Sequence, residues 1–242
     1  LENKSENWPI MAASPIPYSL SNATPAEMTR NDMDEVVAEF VTAAGRAEEA
    51  GFDMIELHCA HGYLLNSFLS PKTNVRTDEY GGNAENRLKF PVEVFTALRA
   101  VWPEEKPISV RISAHDWSDG GIVPEDAVGI ARAFKEAGCD ILDVSSGQVV
   151  SEEKPVYGRL FQLPFSDRVR LEADMPTMTV GNIQSFADAN SIIAGGRADI
   201  CVIARMHLFD PYWTRHAANE LRYPLEMPVQ YKSVETYTPR WT

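Results

Sequence analysis

The feature that most constrains the fold is a regular alternation of amphipathic stretches with short β-branched runs, which begins at Thr29. Such alternation is typical of repeated βα units around a parallel sheet. Periodicity alone leaves two arrangements open, a closed barrel and an open doubly wound sheet. No linker interrupts the pattern. The expected strands are Met54 to His58, Ile108 to Ser113, Ile141 to Ser145, Thr177 to Val180 and Ile200 to Ala204.

Helix signals agree with this pattern. Thr29 and Asp32 have capping-box spacing, and the apolar face that follows them ends near Gly51. Ser185 and Asp188 repeat the same capping arrangement before a later helix. The sequence therefore predicts helices that pack against the sheet between successive strands.

Charge and cysteine content limit the partners and the compartment. The chain has 35 acidic and 22 basic side chains, a net charge of −13, which disfavours binding to nucleic acid or to anionic lipid. Cys59, Cys139 and Cys201 are widely spaced and odd in number, so they indicate neither a disulfide framework nor a metal or cluster site. No stretch is long and apolar enough to span a bilayer. We expect a cytoplasmic protein.

The residues that follow each expected strand carry the chemistry, because ligands of βα folds bind beyond the carboxyl ends of the strands. His58, His61 and Tyr63 follow the first strand. Two imidazoles three residues apart can donate to one oxygen, which is a geometry for polarising a carbonyl group. A structural pair and a divalent-metal site are the alternatives. No Cys or third His with ligand spacing follows, which makes metal the weaker one.

Arg111 lies in the second expected strand, near its carboxyl end, where ligands of βα folds bind. The alternative is an internal salt bridge, for which Glu56 is the candidate partner, since it shares the parity of His58. His115, Asp116 and Trp117 follow the same strand, and no role is assigned to them from the sequence.

A long segment identifies a family resemblance. The sequence HCAHGYLLNSFLSPKTNVRTDEYGGNAENR, at positions 58 to 87, closely resembles the signature region of the old yellow enzyme family, the NADH:flavin oxidoreductases. The resemblance implies an α/β fold, an FMN-binding (β/α)8 TIM barrel, with NADH or NADPH as reductant. Further matching segments lie at 110–113, 143–147, 180–183 and 203–205.

The resemblance also implies roles for individual residues. His58 and His61 would hydrogen-bond the substrate oxygen, Tyr63 would donate a proton, and Arg111 would lie against the N1 and O2 edge of the flavin. Gly181, Ala204 and Arg205 occupy corners where barrels bind phosphate. The family commonly has glycine where Ala204 stands, but a backbone N–H survives the added methyl group. Hydride would leave from flavin N5 to an activated C=C bond of an unsaturated carbonyl or aryl-CoA-derived substrate.

Counting strands gives five of the eight that close such a barrel. The chain opens without a periodic apolar pattern, so we expect 1–242 to be the C-terminal part of the barrel. The missing strands are expected upstream, and this fragment alone is expected to be inactive. The resemblance is closest to the reductase part of bifunctional salicyloyl-CoA or 2-aminobenzoyl-CoA monooxygenase/reductases, which implies a fused upstream monooxygenase domain.

Several alternatives stay open at this point. Single-domain ene-reductases are the nearest, followed by a phosphate-binding aldolase or isomerase barrel and by a non-catalytic barrel fragment. Family members often form homo-oligomers in which a C-terminal arginine enters a neighbour's site. Here the tail departs from that pattern, because its arginine, Arg240, lies further along.

Overall fold

A computed structural model describes residues 8–235 and 237. The described residues form a parallel five-stranded sheet with the strands in chain order, β3-β4-β5-β6-β7, and a separate two-stranded parallel pair, β1-β2. The strands are β1 (Met11–Ala12), β2 (Ala26–Glu27), β3 (Ile55–Cys59), β4 (Ile108–Ser113), β5 (Ile141–Ser145), β6 (Thr177–Thr179) and β7 (Ile200–Cys201).

Helices connect successive strands of the sheet. They are α1 (Arg30–Glu49), α2 (Leu64–Leu69), α3 (Ala84–Val101), α4 (Pro124–Glu136), α5 (Leu163–Glu172), α6 (Phe186–Ala194), α7 (Arg205–Phe209) and α8 (Trp213–Glu220), followed by a 3-10 helix at Val229–Val234. The strand-helix alternation predicted from the sequence is confirmed. The pair β1-β2 and helix α2 were not predicted, since each is too short to show a periodic pattern of apolar residues.

Both predicted caps are present. Thr29 and Asp32 form a reciprocal capping box at the start of α1, and Ser185 and Asp188 form another at the start of α6. Each box satisfies backbone N–H groups that the first helical turn leaves without partners.

The expected strand bounds hold for β4 and β5, whereas three strands differ. The strand expected at Met54 to His58 runs one residue later, at Ile55–Cys59. The strands expected to end at Val180 and Ala204 are shorter, Thr177–Thr179 and Ile200–Cys201. β6 and β7 pair over two residues only. The last hydrogen bond between these two segments runs from the Val202 N–H to the Thr179 carbonyl.

The two faces of the sheet differ in polarity. Since side chains alternate along a strand, Leu57, Val110 and Leu142 point to one face and pack into the core beneath the helices. The other face carries polar side chains at the ends of the strands. It is this polar face, with the loops beyond it, that forms the candidate site.

No helix among the described residues has both the length and the apolar character needed to cross a membrane. Arg240 lies outside the described residues.

Candidate active site at the carboxyl ends of the strands

The turn after β3 brings three predicted site residues together. His58 is the penultimate residue of β3, and its ring centroid lies 5.3 Å from the ring centroids of both His61 and Tyr63. His61 has a φ of 60° and Gly62 a φ of 71°, so the chain turns sharply here. A Cβ on Gly62 would lie 2.7 Å from the Gln148 carbonyl oxygen, which explains the glycine.

Two serines hold this turn in place. The His61 backbone N–H donates to Ser113 Oγ at 2.9 Å, and His61 Nε2 lies 2.8 Å from Ser145 Oγ. Ser113 ends β4 and Ser145 ends β5, so three consecutive strands contribute. Neither serine was predicted from the sequence as a site residue. Their signal was available, because each is the last residue of a predicted strand.

The environment keeps both imidazoles neutral near pH 7. Burial, followed by the nearby Arg111 cation, lowers the pKa of His58. Burial, Arg111 and His58 together lower the pKa of His61 to about 4. A neutral imidazole carries one N–H donor and one acceptor nitrogen. The pair can therefore donate hydrogen bonds to a ligand oxygen without carrying charge.

Arg111 is paired, but not with the partner considered from the sequence. Its Nη1 lies 3.3 Å from Asp143 Oδ2, whereas Glu56 accepts from Ser109 Oγ at 2.8 Å. Glu56 was the wrong candidate because its register partner on β4 is Ser109, two residues before Arg111 on the same face of the strand. Asp143, by contrast, is the register partner of Arg111 on β5.

A cavity of about 960 Å³ extends from the histidine end of the sheet to the last strand. His61 and Arg111 line it at one end, and Gly181, Ala204 and Arg205 at the other. All three predicted phosphate residues and one predicted catalytic histidine thus share a space. His58 and Tyr63 are not among the residues that line the cavity, and the ring of His58 adjoins that of His61, which does.

The corner at Gly181 is built around a buried glutamine. Gln162 Oε1 accepts from Ser146 Oγ at 2.6 Å, and its Nε2 donates to the Val180 carbonyl at 3.0 Å. Gly181 has a φ of +115°, and a Cβ there would lie 2.7 Å from Gln162 Nε2. The glycine therefore keeps this corner of the cavity open. Gln162 was not found from the sequence because no motif around it indicated a site.

The residues after β4 have structural partners. Trp117 lines the cavity, stacks on His115 with ring centroids 4.5 Å apart and donates from Nε1 to Ser146 Oγ. Asp116 is fully buried and accepts from Ser70 Oγ at 2.6 Å and from the Ile122 N–H at 2.8 Å. Asp116 thereby joins the loop after α2 to the loop before α4.

Comparison with known proteins identifies the family. The profile of the NADH:flavin oxidoreductase / NADH oxidase family matches residues 3–223. The chain belongs to this family. It is 47% identical over 223 residues to an NADPH dehydrogenase of Geobacillus thermodenitrificans strain NG80-2, covering 92% of this chain and 65% of that relative. The chain thus spans less than two thirds of the length of that relative.

Solved structures show the same fold. A complex of 2-naphthoyl-CoA reductase with 2-naphthoyl-CoA superimposes with a TM-score of 0.81 at 24% identity, over 88% of this chain and 33% of that one. Morphinone reductase in complex with tetrahydroNAD superimposes with a TM-score of 0.73 at 24% identity, over 94% and 63%. At this identity the likeness concerns the fold alone.

The family match confirms the old yellow enzyme resemblance and, with it, the predicted FMN cofactor and NAD(P)H reductant. The fold class, five strands of a (β/α)8 barrel, is confirmed as well. Membership in a flavin oxidoreductase family decides against the aldolase or isomerase alternative. That the remaining strands lie upstream stays a prediction.

The site of this NADH:flavin oxidoreductase family member fits a flavin nucleotide. Arg111 Nε is buried and has no hydrogen-bond partner among the described residues, so a donor is available inside the fold. Arg205 is exposed and forms no ion pair with any described carboxylate. A cavity of this volume matches the usual size of cofactor pockets. No group of three His, Cys, Asp or Glu side chains within 8–235 and 237 is arranged as metal ligands.

Proposed function

We propose that this chain carries the catalytic residues of an FMN-dependent oxidoreductase that uses NADPH to reduce the activated C=C bond of an unsaturated carbonyl compound. The observation that carries the proposal is the shared cavity. A neutral histidine and a half-buried arginine at one end are continuous with a glycine corner at the other, where Arg205 has no ion pair among the described residues. The NADPH dehydrogenase relative supports the choice of NADPH.

Each residue has a distinct task in this proposal. His58 and His61 donate hydrogen bonds to the carbonyl oxygen, which makes the β carbon more electrophilic. Because Nε2 of His61 is engaged with Ser145, its Nδ1 faces the ligand. Tyr63, which is 64% exposed and adjoins His58, delivers the proton.

Arg111, Gly181, Ala204 and Arg205 bind the cofactor. Bound FMN supplies the hydride for the reaction. Arg111 would hold the flavin ring and offer a positive charge to it. Gly181, Ala204 and Arg205 hold the phosphate through backbone donors and one guanidinium group.

The substrate is a small molecule, and the protein works in the cytoplasm. An aryl-CoA-derived substrate, a fused monooxygenase domain and a homo-oligomer stay predictions from the sequence resemblance. The name of the relative, NADPH dehydrogenase, specifies the reductant alone, so the small enone is proposed from the sequence resemblance as well.

Protein purified together with the strands that are expected upstream provides the test, since 1–242 alone is expected to be inactive. We expect a yellow protein with one FMN per chain, whose flavin is bleached by NADPH and recovers when 2-cyclohexenone is added under anaerobic conditions. Recovery with an unsaturated aryl-CoA thioester but not with the enone would replace the substrate class. A colourless protein that takes up no FMN would overturn the proposal.

A further inference from the structure

Three residues form a row across the polar face of the sheet. His58, Arg111 and Asp143 occupy matching register positions on β3, β4 and β5. Neighbouring parallel strands lie about 4.8 Å apart, so the three side chains stand side by side. The outer two residues therefore flank the arginine from opposite sides.

Asp143 has few partners other than Arg111. It is 2% exposed, its Oδ2 lies 3.3 Å from Arg111 Nη1, and its Oδ1 has no hydrogen-bond partner among the described residues. A buried carboxylate usually accepts several hydrogen bonds. One that accepts so few depends on its neighbouring cation for compensation.

Arg111 depends on Asp143 in turn. Within the described part of the chain, its guanidinium forms an ion pair with no other carboxylate. Its side chain is 25% exposed toward the cavity, where the proposed function needs a fixed cation. A long arginine side chain without such a contact would sample several rotamers.

The charged groups that face this row are few. Glu56 lies on β3 and is hydrogen-bonded to Ser109, and His61 approaches from the turn after β3. Arg111 lowers the pKa of both histidines, whereas Glu56 acts in the opposite direction on the pKa of His58. The pKa of an imidazole here therefore reports where the arginine is.

We propose that Asp143 is a positioning residue, whose carboxylate holds the Arg111 guanidinium beside His58 and His61 before any ligand binds. The arginine's task toward the cofactor rests on the proposed function. The placement itself does not, because it concerns side chains of this chain alone.

A merely structural ion pair would give a different result from a positioning one. Loss of either buried partner lowers stability, because the other charge is left uncompensated. Only positioning fixes the guanidinium in one place, so that its Nε–H exchanges slowly while Asp143 is charged and rapidly once Asp143 is replaced.

The test is the NMR signal of the Arg111 Nε–H in the full chain without added flavin, recorded at about pH 7.5 and assigned with Arg111→Met. Burial raises the pKa of Asp143 to about 6, so its carboxylate is charged at this pH, whereas it is protonated where His61 titrates, at about 4. The wild type is expected to give one slowly exchanging signal, and Asp143→Asn an averaged, fast-exchanging one. Glu56→Gln is the matched control, since it also replaces an inward carboxylate by an amide, and it is expected to keep the wild-type signal.

A slowly exchanging signal in Asp143→Asn would overturn the proposal, and thermal melts establish that each variant is folded. If Asp143→Asn does not fold, the wild-type signal decides alone, and an averaged, fast-exchanging Nε–H signal at about pH 7.5 would count against the proposal. FMN uptake is measured separately, so failure of the proposed function is distinguishable from failure of this inference.

Discussion

His61 and Ser145 connect two strand ends that are 84 residues apart in the chain, through a contact of 2.8 Å between Nε2 and Oγ. The contact crosses the end of β4, so it spans the middle of the candidate site. It determines which ring nitrogen of His61 is left for a ligand.

Ser145→Ala is expected to release the ring of His61. The loss of one partly buried hydrogen bond should cost about 1 kcal/mol of the free energy of unfolding. Nitrogen NMR should then show a mixture of His61 tautomers in place of a single one. Ser146→Ala is the control, because Ser146 contacts Trp117 and Gln162 but not His61. An unchanged His61 spectrum in Ser145→Ala would show that the contact does not orient the ring.

Replacing both His58 and His61 by alanine is expected to leave FMN bound and to slow the oxidation of the reduced enzyme by an enone about 100-fold or more, because the oxygen of the substrate loses its donors. Reduction by NADPH, measured in the same stopped-flow instrument, serves as the internal control. An oxidative rate equal to that of the wild type would remove both residues from the proposed mechanism.

Tyr63→Phe is expected to slow the same oxidative step about 100-fold while ligand affinity stays nearly unchanged, because the variant keeps the ring and loses only the proton donor. Tyr157→Phe is a matched control, since Tyr157 is similarly exposed and lines the cavity. Equal rates for the Tyr63 variant and the control would assign the proton to another group.

Gly181→Ala is expected to weaken FMN binding and to cost about 1 to 3 kcal/mol of stability, because a side chain at φ +115° is strained and its Cβ would displace Gln162. Gly158→Ala provides the comparison: Gly158 lines the same cavity, and a Cβ there has nothing within 4 Å. Isothermal titration with FMN and thermal melts measure both effects. Similar affinities for the two variants would argue against the phosphate corner.

Asp116 makes stability depend on pH. Burial raises the pKa of Asp116 from 3.8 to about 6, although Ser70 and Ile122 donate to its carboxylate. Because the pKa is higher in the folded state, its contribution to stability is present below about pH 4 and is lost as the pH rises through about 6. The loss is roughly 3 kcal/mol at most.

Asp116→Asn should therefore flatten the dependence of unfolding free energy on pH between about 4 and 7. The measurement is urea unfolding at a series of pH values. Asp119→Asn, at an exposed position in the same loop, is the control and should follow the wild-type curve. A variant curve parallel to the wild type would show that Asp116 does not titrate in this range.

Much of the fold could be predicted because its signals are local. The period of apolar residues within each strand and helix, and the caps at Thr29 and Ser185, depend on residues a few positions apart. The strand ends followed from the same patterns, and with them the candidates His58, Arg111 and Gly181. The signature at 58–87 then identified the family.

Local sequence patterns thus predict the βα repeat, the edge of the sheet that carries the chemistry and the family. The fold was needed to show that Arg111 pairs with Asp143 rather than Glu56, that Ser145 holds His61, and that Gln162 fills the corner behind Gly181. These contacts join distant parts of the chain, and those between strands depend on register. Register is set by how the apolar faces of whole strands and helices pack together, and a shift of one residue would turn Arg111, Asp143 and Ser145 to the opposite face of the sheet.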